Sequence, residues 1–202
     1  TYALEGSVFV AGAAMQWLRD ELNLISSTPE SETIATSEAE SNPDSQVIVV
    51  PTFAGLGTPY WDMDARGAVL GLTIDSGSNA LIRATLESIA YQCMDVLKAM
   101  QEDSGISLFT LQVDGGASAN NYLMQFQADL LGVSIERPKS VESTATGVAL
   151  MASVTMGEKV LAELKCTKEV DRVFSPEKSV GWREAKTALW EDAIKRVRTN
   201  AI

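Results

Sequence analysis

The sequence predicts an α/β fold, because strand-like and helix-like segments alternate along most of its 202 residues. That length suffices for one large domain or two small ones, with a substantial buried core. Apolar residues make up 46% of the chain. Even so, no stretch approaches the roughly 18 uninterrupted apolar residues that a membrane-spanning helix needs. We therefore expect an α/β protein without a membrane partner.

The N-terminal part predicts a strand, a helix and a connector. Residues 2–10 have a strand-like apolar pattern. Residues 11–24 place apolar side chains on one side of a helix, with Trp17 and Leu18 among them. Residues 28–46 contain five acids, no base and few apolar residues, a composition typical of a solvated segment. We expect this last segment to be an acidic, exposed connector.

The middle of the chain predicts two strands and a long helix. Residues 46–53 form a run of β-branched residues, and residues 68–73 form another after a loop rich in glycine and proline. Residues 79–100 repeat apolar side chains every three or four positions, which predicts a helix. Asn79 is its expected N-cap, and Gly105 lies just beyond its end.

The C-terminal half continues the alternation. Gly132 is positioned to end a helix in the left-handed conformation, and Pro138 should stop the strand that follows. The expected strands are 109–113 and 134–137, and the expected helices are 120–131, 144–156 and 182–197. In the helix at 144–156, small side chains should permit close helix packing. Residues 158–202 are expected to form a helical extension of the same domain.

Charge and composition exclude several functions. The chain has 27 acidic and 16 basic residues, a net charge of −11, and no histidine. The acidic balance argues against nucleic-acid binding. Without histidine, the commonest general base and metal ligand is missing. Cys93 and Cys166 are expected to be reduced, which suits a cytoplasmic protein. The N-terminus has no signal-peptide pattern and no initiator Met, so we interpret the chain as part of a longer protein.

Two short patterns are candidate binding elements. The stretch VDGGASANN, residues 113–121, places an acid and two glycines between a strand and a helix. Glycines let a backbone approach a phosphate closely, and the N–H groups of a helix start attract anions. A tight turn is the alternative, since paired glycines are common in turns. Gly12 and Gln16 lie four residues apart, so both lie on one helix face, where a flat ring and an amide partner can meet. An ordinary pair on a half-exposed helix is the alternative there.

Three further features are more simply structural. Asp62 and Asp64 fit a loop brace near Arg66 better than a metal site, because no third ligand is obvious. Tyr60 and Trp61 fit buried packing better than stacking on a ligand. Glu87, inside the long predicted helix, also fits a structural role.

Longer blocks of sequence resemble the FGGY carbohydrate kinase family. The resemblance covers most of residues 2–157. It rests on YALEGSVFVAGAAMQWLRDEL, PTFAGLGTPYWDMDARGAVLGLT, IRATLESIAYQCMDVLKAM and VDGGASANNYLMQFQADLLG. Within the family, the PYWD…ARG…GLT block is typical of members that act on glycerol. Ala80 departs from the family signature, which has polar residues at that position.

The resemblance implies an actin-like ATPase (ribonuclease H-like) domain, whose mixed sheet is flanked by helices. Residues 1–202 would be the C-terminal domain, which faces ATP across a cleft. Gly12, Gln16, Gly116 and Asn120 match nucleotide-binding positions of the family, and Gly115 would offer backbone to the phosphates.

Family members transfer the γ-phosphoryl group of MgATP to a sugar or polyol, here glycerol. The catalytic base and the glycerol site belong to the first domain, so the resemblance implies no catalytic and no metal-binding residue in this chain. It also implies a homo-oligomer. A pentulose or gluconate kinase, and a non-catalytic interaction domain of the same fold, are the alternatives.

Overall fold

The computed structural model describes residues 3–140, 142–157 and 169–199. Within them helices and strands alternate, which confirms the predicted α/β class. The helices are α1 (Gly12–Asp20), α2 (Glu30–Ser41), α3 (Ser78–Ser104), α4 (Asn121–Leu131), α5 (Ser143–Thr155) and α6 (Val180–Val197). The strands are β1 (Ile48–Val50), β2 (Ala68–Leu70), β3 (Thr110–Gln112), β4 (Ser134–Pro138) and β5 (Val170–Phe174). None of the described helices is long and apolar enough to cross a membrane.

The strands form two small sheets. In the larger sheet β4 is central; it pairs in parallel with β3 and antiparallel with β5. Leu111, Ile135 and Phe174 are aligned across these three strands. The smaller sheet is the antiparallel pair of β1 and β2. The predicted mixed sheet is therefore confirmed.

Helix α3 forms the centre of the core. It has 27 residues and is buried along most of its first two thirds. On one side Tyr91 stacks on Trp190 of α6, with ring centroids 5.0 Å apart and planes 5° apart. The helix ends at Gly105 in the left-handed conformation, with φ of 67°, as predicted. Its N-cap is Gly77 without a side-chain cap bond, so the prediction of Asn79 as N-cap was wrong.

Residues 3–10 do not form the predicted strand. They lie against α3, where Gln92 Nε2 donates to the carbonyl of Val10 at 2.9 Å. The methyl Cγ1 of Val96 would lie 2.4 Å from a Cβ placed at Gly6. The apolar pattern of this segment thus reflects burial against a helix. A strand also needs a partner backbone to complete its ladder, and a single segment's pattern does not reveal that partner.

Residues 28–46 are not an exposed connector; this prediction was wrong. Their middle forms α2, which packs on α3 and buries Ser31 and Ala35 completely. At the far end of α2, the guanidinium of Arg83 donates to the carbonyl of Asn42 at 2.8 Å. The buried face of α2 consists of small residues. The apolar side chains on which periodicity depends are therefore few, and the segment reads as a connector.

The C-terminal region contains a strand as well as a helix. Sequence analysis missed β5 and predicted only a helical extension over 158–202; residues 158–168, including Cys166, lie outside the described part. The predicted helix at 182–197 corresponds to α6, which buries Trp190, Ala193 and Ile194. The predicted helix at 144–156 corresponds to α5, but no residue of α5 is buried. The close packing expected from its small residues is absent from the described residues.

Candidate functional site

A cavity of about 400 Å³ lies between α1, the start of α2, α3 and the loop before α4. Its residues come from four separated segments of the chain. They are Gly12, Met15, Gln16, Thr28, Pro29, Ser31, Glu32, Leu86, Ile89, Gly116, Ala117, Ala119, Asn120 and Leu123. The cavity therefore brings together four residues that the sequence singled out in two unrelated patterns: Gly12, Gln16, Gly116 and Asn120.

The floor of the cavity is apolar. Met15, Leu86 and Leu123 each expose 2% or less of their surface, and Ile89 lies beside them. They belong to the main core, so their positions are fixed by packing from three helices. An apolar floor with a few polar groups at the rim is the usual composition of a small-molecule site.

Helix α1 provides one rim of the cavity. Gly12 is its first residue, and Gln16 lies one turn later, with both exposed. A Cβ placed at Gly12 would meet no atom within 4 Å. The absence of a side chain at Gly12 therefore leaves open space next to the Gln16 amide. A flat ring can lie there while the amide donates to or accepts from its edge.

The loop at residues 113–121, which we call the double-glycine loop, provides the opposite rim. Gly115 has φ of 79° and ψ of 172°, a conformation almost restricted to glycine. It turns the chain after β3 into a 3-10 turn at Gly116–Ala119. Ser118 fixes this turn, because its hydroxyl and its amide both donate to the carbonyl of Gly115, at 2.7 and 3.1 Å. Gly116 lines the cavity and Gly115 does not.

At the start of α4, which the sequence suggested as an anion site, the N–H groups of Asn121 and Leu123 already have partners within the protein. Asn120 is the N-cap, and its Oδ1 accepts from the amide of Leu123 at 2.9 Å. The first amide of α4, that of Asn121, donates to the carboxylate of Glu32 at 3.0 Å. A protein carboxylate thus already occupies part of the helix N-terminus, where negative charge is favourable. In the double-glycine loop, the backbone of the 3-10 turn, rather than the start of α4, is therefore the part that is open to an anion such as a phosphate.

Sequence analysis did not identify the fourth side of the cavity. Thr28, Pro29, Ser31 and Glu32 line it from the start of α2. A signal was available, because Pro29 is followed by acids at 30 and 32, and proline with early acids is typical of a helix start. The acidic composition of the whole segment masked that signal.

Asp62 braces its loop, as the sequence suggested. The carboxylate is fully buried and accepts from the amides of Asp64 and Ala65 at 3.2 and 3.1 Å. It also accepts from the amide and the hydroxyl of Thr199. In the described part of the chain, no three acidic or cysteine side chains cluster as a metal site. Trp61 has 61% of its surface exposed, so the prediction of buried packing was wrong for this residue.

A buried polar cluster lies away from the cavity, between α3 and α6. The carboxylate of Asp95 accepts from Trp190 Nε1 at 2.7 Å and from the Tyr60 hydroxyl at 3.0 Å. Burial raises the pKa of Asp95 to about 6, although both hydrogen bonds act in the opposite direction. Lys98 lowers this pKa and Glu191 raises it. The cluster joins the PYWD loop to the last helix and reaches no residue of the cavity.

Glu87 is structural in its contacts. It forms a buried ion pair with Arg83 one helical turn earlier, at 2.7 Å, and accepts from the Tyr122 hydroxyl. Arg83 Nε also donates to that hydroxyl at 3.0 Å. This network joins α3 to α4 below the cavity, and Arg83 extends it to the end of α2. Asp114 lies in a neighbouring depression of about 260 Å³ with Glu136, outside the cavity.

In sequence, the chain is similar to one family of known proteins. A sequence model of the FGGY family of carbohydrate kinases, C-terminal domain, matches residues 1–156. The chain is 55% identical over 196 residues to the glycerol kinase of Alkaliphilus metalliredigens and 54% identical over 198 residues to that of Fusobacterium nucleatum. It covers 96% and 98% of itself in these matches but only 39% of each relative. The chain therefore spans about two fifths of the length of the curated relatives it matches.

Solved structures of two kinases resemble the chain in fold. Plasmodium falciparum glycerol kinase with ADP matches 94% of the chain and 37% of its own, with a TM-score of 0.82 and 31% identity. A xylulose kinase from Lactobacillus acidophilus matches 95% of the chain and 38% of its own, with a TM-score of 0.74. At 21% identity this second likeness concerns the fold alone. The predicted actin-like fold, shared by these sugar kinases, is confirmed.

Proposed function

The chain belongs to the FGGY family of carbohydrate kinases, whose C-terminal domain matches residues 1–156, and we propose that it is the nucleotide-binding part of a glycerol kinase. Its relatives at 51–55% identity are named glycerol kinase, whereas the xylulose and gluconate kinases among its structural neighbours are 20–25% identical. The PYWD…ARG…GLT block, which resembles that of family members acting on glycerol, also favours glycerol over a pentulose or gluconate.

The observation that carries this proposal is the cavity itself. Gly12 and Gln16 of α1 line the same cavity as Gly116 and Asn120, which lie about a hundred residues later in the chain. Open space above both glycines suits a flat base and a phosphate that approach the main chain. Gly115 shapes the turn that presents Gly116. The adenine nucleotide of the Plasmodium structure is consistent with such a ligand.

The proposed reaction is transfer of the γ-phosphoryl group of ATP to a terminal hydroxyl of glycerol, which gives glycerol 3-phosphate. Such transfer depends on alignment and charge neutralisation, and on a base that accepts the alcohol proton. This chain's part is alignment: the Gln16 amide and the apolar floor hold the nucleoside, and the double-glycine turn holds the phosphates. The base and the glycerol site are assigned to sequence outside these 202 residues.

Magnesium fits this division of labour. ATP enters such reactions with Mg²⁺ on its phosphates, which neutralises charge. Among the described residues no three acidic or cysteine side chains cluster as a metal site. Following the family resemblance, we assign the ion's protein contacts to the rest of the full-length kinase. A cytoplasmic homo-oligomer is the setting that we propose for that enzyme.

Calorimetric titration of the 202-residue protein with MgATP tests the proposal, beside an assay for glycerol-dependent ADP formation. We expect weak nucleotide binding without turnover, because the chain spans about two fifths of the length of its relatives and we assign the base to sequence outside it. Turnover by the chain alone would contradict the assignment of the base to another part of the protein. If the isolated chain binds no nucleotide, the same titration is made on the full-length kinase. Unchanged affinity there on Gly116→Val would refute the site.

A further inference from the structure

One side of the cavity depends on contacts that the proposed function does not use. Thr28, Pro29 and Ser31 form that side, at the start of α2. They are adjacent to the double-glycine loop in space but separated from it by nearly ninety residues of sequence. Whatever holds α2 against that loop sets the width of the cavity between them.

The strongest contact across this boundary is made by Glu32. Its Oε2 accepts from the backbone amide of Asn121 at 3.0 Å, and its Oε1 accepts from Asn121 Nδ2 at 2.8 Å. Both bonds are charge-assisted, and one of them satisfies the first amide of α4, where negative charge is favoured. The Asn121 side chain is held from the other side by Arg172, which donates to its Oδ1 at 3.3 Å.

Ser31 adds a second, weaker link and orients Asn120. The Ser31 hydroxyl is fully buried and donates to the carbonyl of Thr28 at 2.7 Å. It can therefore only accept from its other neighbour, Asn120 Nδ2, at 3.4 Å. This leaves Asn120 Oδ1 to cap α4. The amide of a proposed nucleotide-binding residue is thus oriented by α2.

The other anchor of α2 lies at its opposite end. There Arg83 donates to the carbonyl of Asn42, ten residues beyond Glu32 and roughly 15 Å along the helix. Arg83 does not line the cavity. Loss of the Glu32 contact would leave the near end of α2, next to the cavity, held by the weaker Ser31 bond and by packing on α3, and therefore less firmly positioned.

We propose that Glu32 is a positioning residue for the nucleotide: by holding Asn121 it clamps the start of α2 to the double-glycine loop and sets the width of the slot for the nucleoside. This inference rests on the proposed function. It goes beyond it in assigning to α2 a role in affinity for the nucleoside, and none in holding the phosphates.

The test uses the full-length kinase with Glu32→Gln, which keeps the size of the side chain and loses one acceptor. The matched control is Glu40→Gln, the same change of charge on an exposed position of the same helix. We expect Glu32→Gln to raise the KM for ATP and the Kd for adenosine by roughly three- to tenfold, which is less than the loss of a charge-assisted bond itself because Glu32 acts on the nucleoside through α2. kcat, the KM for glycerol and inhibition by inorganic tripolyphosphate should stay within about twofold of wild type.

Asn121→Ala removes the side chain that donates to Glu32 and should weaken adenosine binding by a similar factor. In that background Glu32→Gln should have a smaller effect than alone, since the two act through one contact. Wild-type affinity for adenosine in Glu32→Gln, with normal ATP binding by wild type, would overturn the inference. Equal weakening of tripolyphosphate binding would also overturn it. A wild-type kinase that binds no ATP would overturn the proposed function itself.

Discussion

The two adjacent glycines of the loop should respond to substitution in opposite ways. Gly115 has a conformation that side chains resist, with φ of 79° and ψ of 172°. Gly116 begins a 3-10 turn without a positive φ, and a Cβ there would meet no atom within 4 Å. Gly115 is therefore required by the fold. The fold gives no such reason for glycine at Gly116, so under the proposed function it is the nucleotide that excludes a side chain there.

The sizes of the two effects follow from these geometries. Gly115→Ala forces a side chain into a sparsely populated region, at a cost of about 1–3 kcal/mol in the free energy of unfolding. For a chain of this length that lowers Tm by about 3 °C per kcal/mol. Gly116→Val should change Tm by less than about 2 °C, because nothing in the protein is displaced. Its branched side chain would instead fill the space above the turn and weaken ATP binding at least about tenfold, or 1.4 kcal/mol.

Two measurements separate these outcomes: thermal unfolding of both variants as the 202-residue protein, and ATP affinity of both in the full-length kinase. Gly116→Ala serves as a graded control, since its smaller side chain should reduce affinity less than valine does. A Gly116→Val protein with normal stability and normal ATP affinity would refute the assignment of the loop. Loss of stability in Gly116→Val equal to that in Gly115→Ala would refute the geometric argument.

Three other predictions concern the fold. The pKa of Asp95 is about 6 in the folded protein and about 3.9 when unfolded, so its contribution to stability is present below about pH 4 and lost as pH rises through 6. Asp95→Asn has no such titration, so its free energy of unfolding in urea, relative to that of the wild type, should rise by roughly 2–3 kcal/mol between pH 4 and 7. A difference between the two proteins that does not change with pH would contradict this. Ala35→Leu should destabilise the protein by about 1–3 kcal/mol through overpacking, whereas Thr36→Leu, on the exposed face of α2, should not. Equal effects of the two substitutions would mean that Ala35 is not buried and that residues 28–46 form an exposed connector after all. Asn120→Ala should cost about 1 kcal/mol through loss of the α4 cap, and Asn120→Ser should recover most of it in the same assay.

The sequence predicted those parts of the molecule in which one segment carries its own signal. The long apolar repeat of α3 and its terminal Gly105 mark a helix without reference to any other segment. The same holds for α4, which runs between the capping residue Asn120 and Gly132. The candidate site could be predicted for a related reason. Each glycine pattern alone had an ordinary alternative, but the resemblance to a family placed the two patterns in one cleft, and the structure brings both to one cavity.

The errors occurred where structure depends on a partner that is distant in sequence. The buried face of α2 is made of serine and alanine, and its helix is stabilised by Arg83 and by Asn121, which a local pattern cannot show. Strand β5 exists because β4 lies beside it. Residues 3–10 have a strand-like composition, yet a ladder requires a second backbone. In each case the missing information was tertiary.

Asn120 shows how one residue serves both the fold and the proposed site. Its Oδ1 caps α4 and its Nδ2 faces Ser31, so the amide is held in one orientation before any ligand arrives. One Nδ2 hydrogen and one Oδ1 lone pair remain for a nucleotide, since an amide can make four hydrogen bonds. A side chain so fixed loses little entropy on binding, which is the physical advantage of a preorganised site. Under the proposed function, the stability of α4 and the affinity for ATP are therefore linked at this residue, and Asn120→Ser, which keeps a cap without the amide, should separate them.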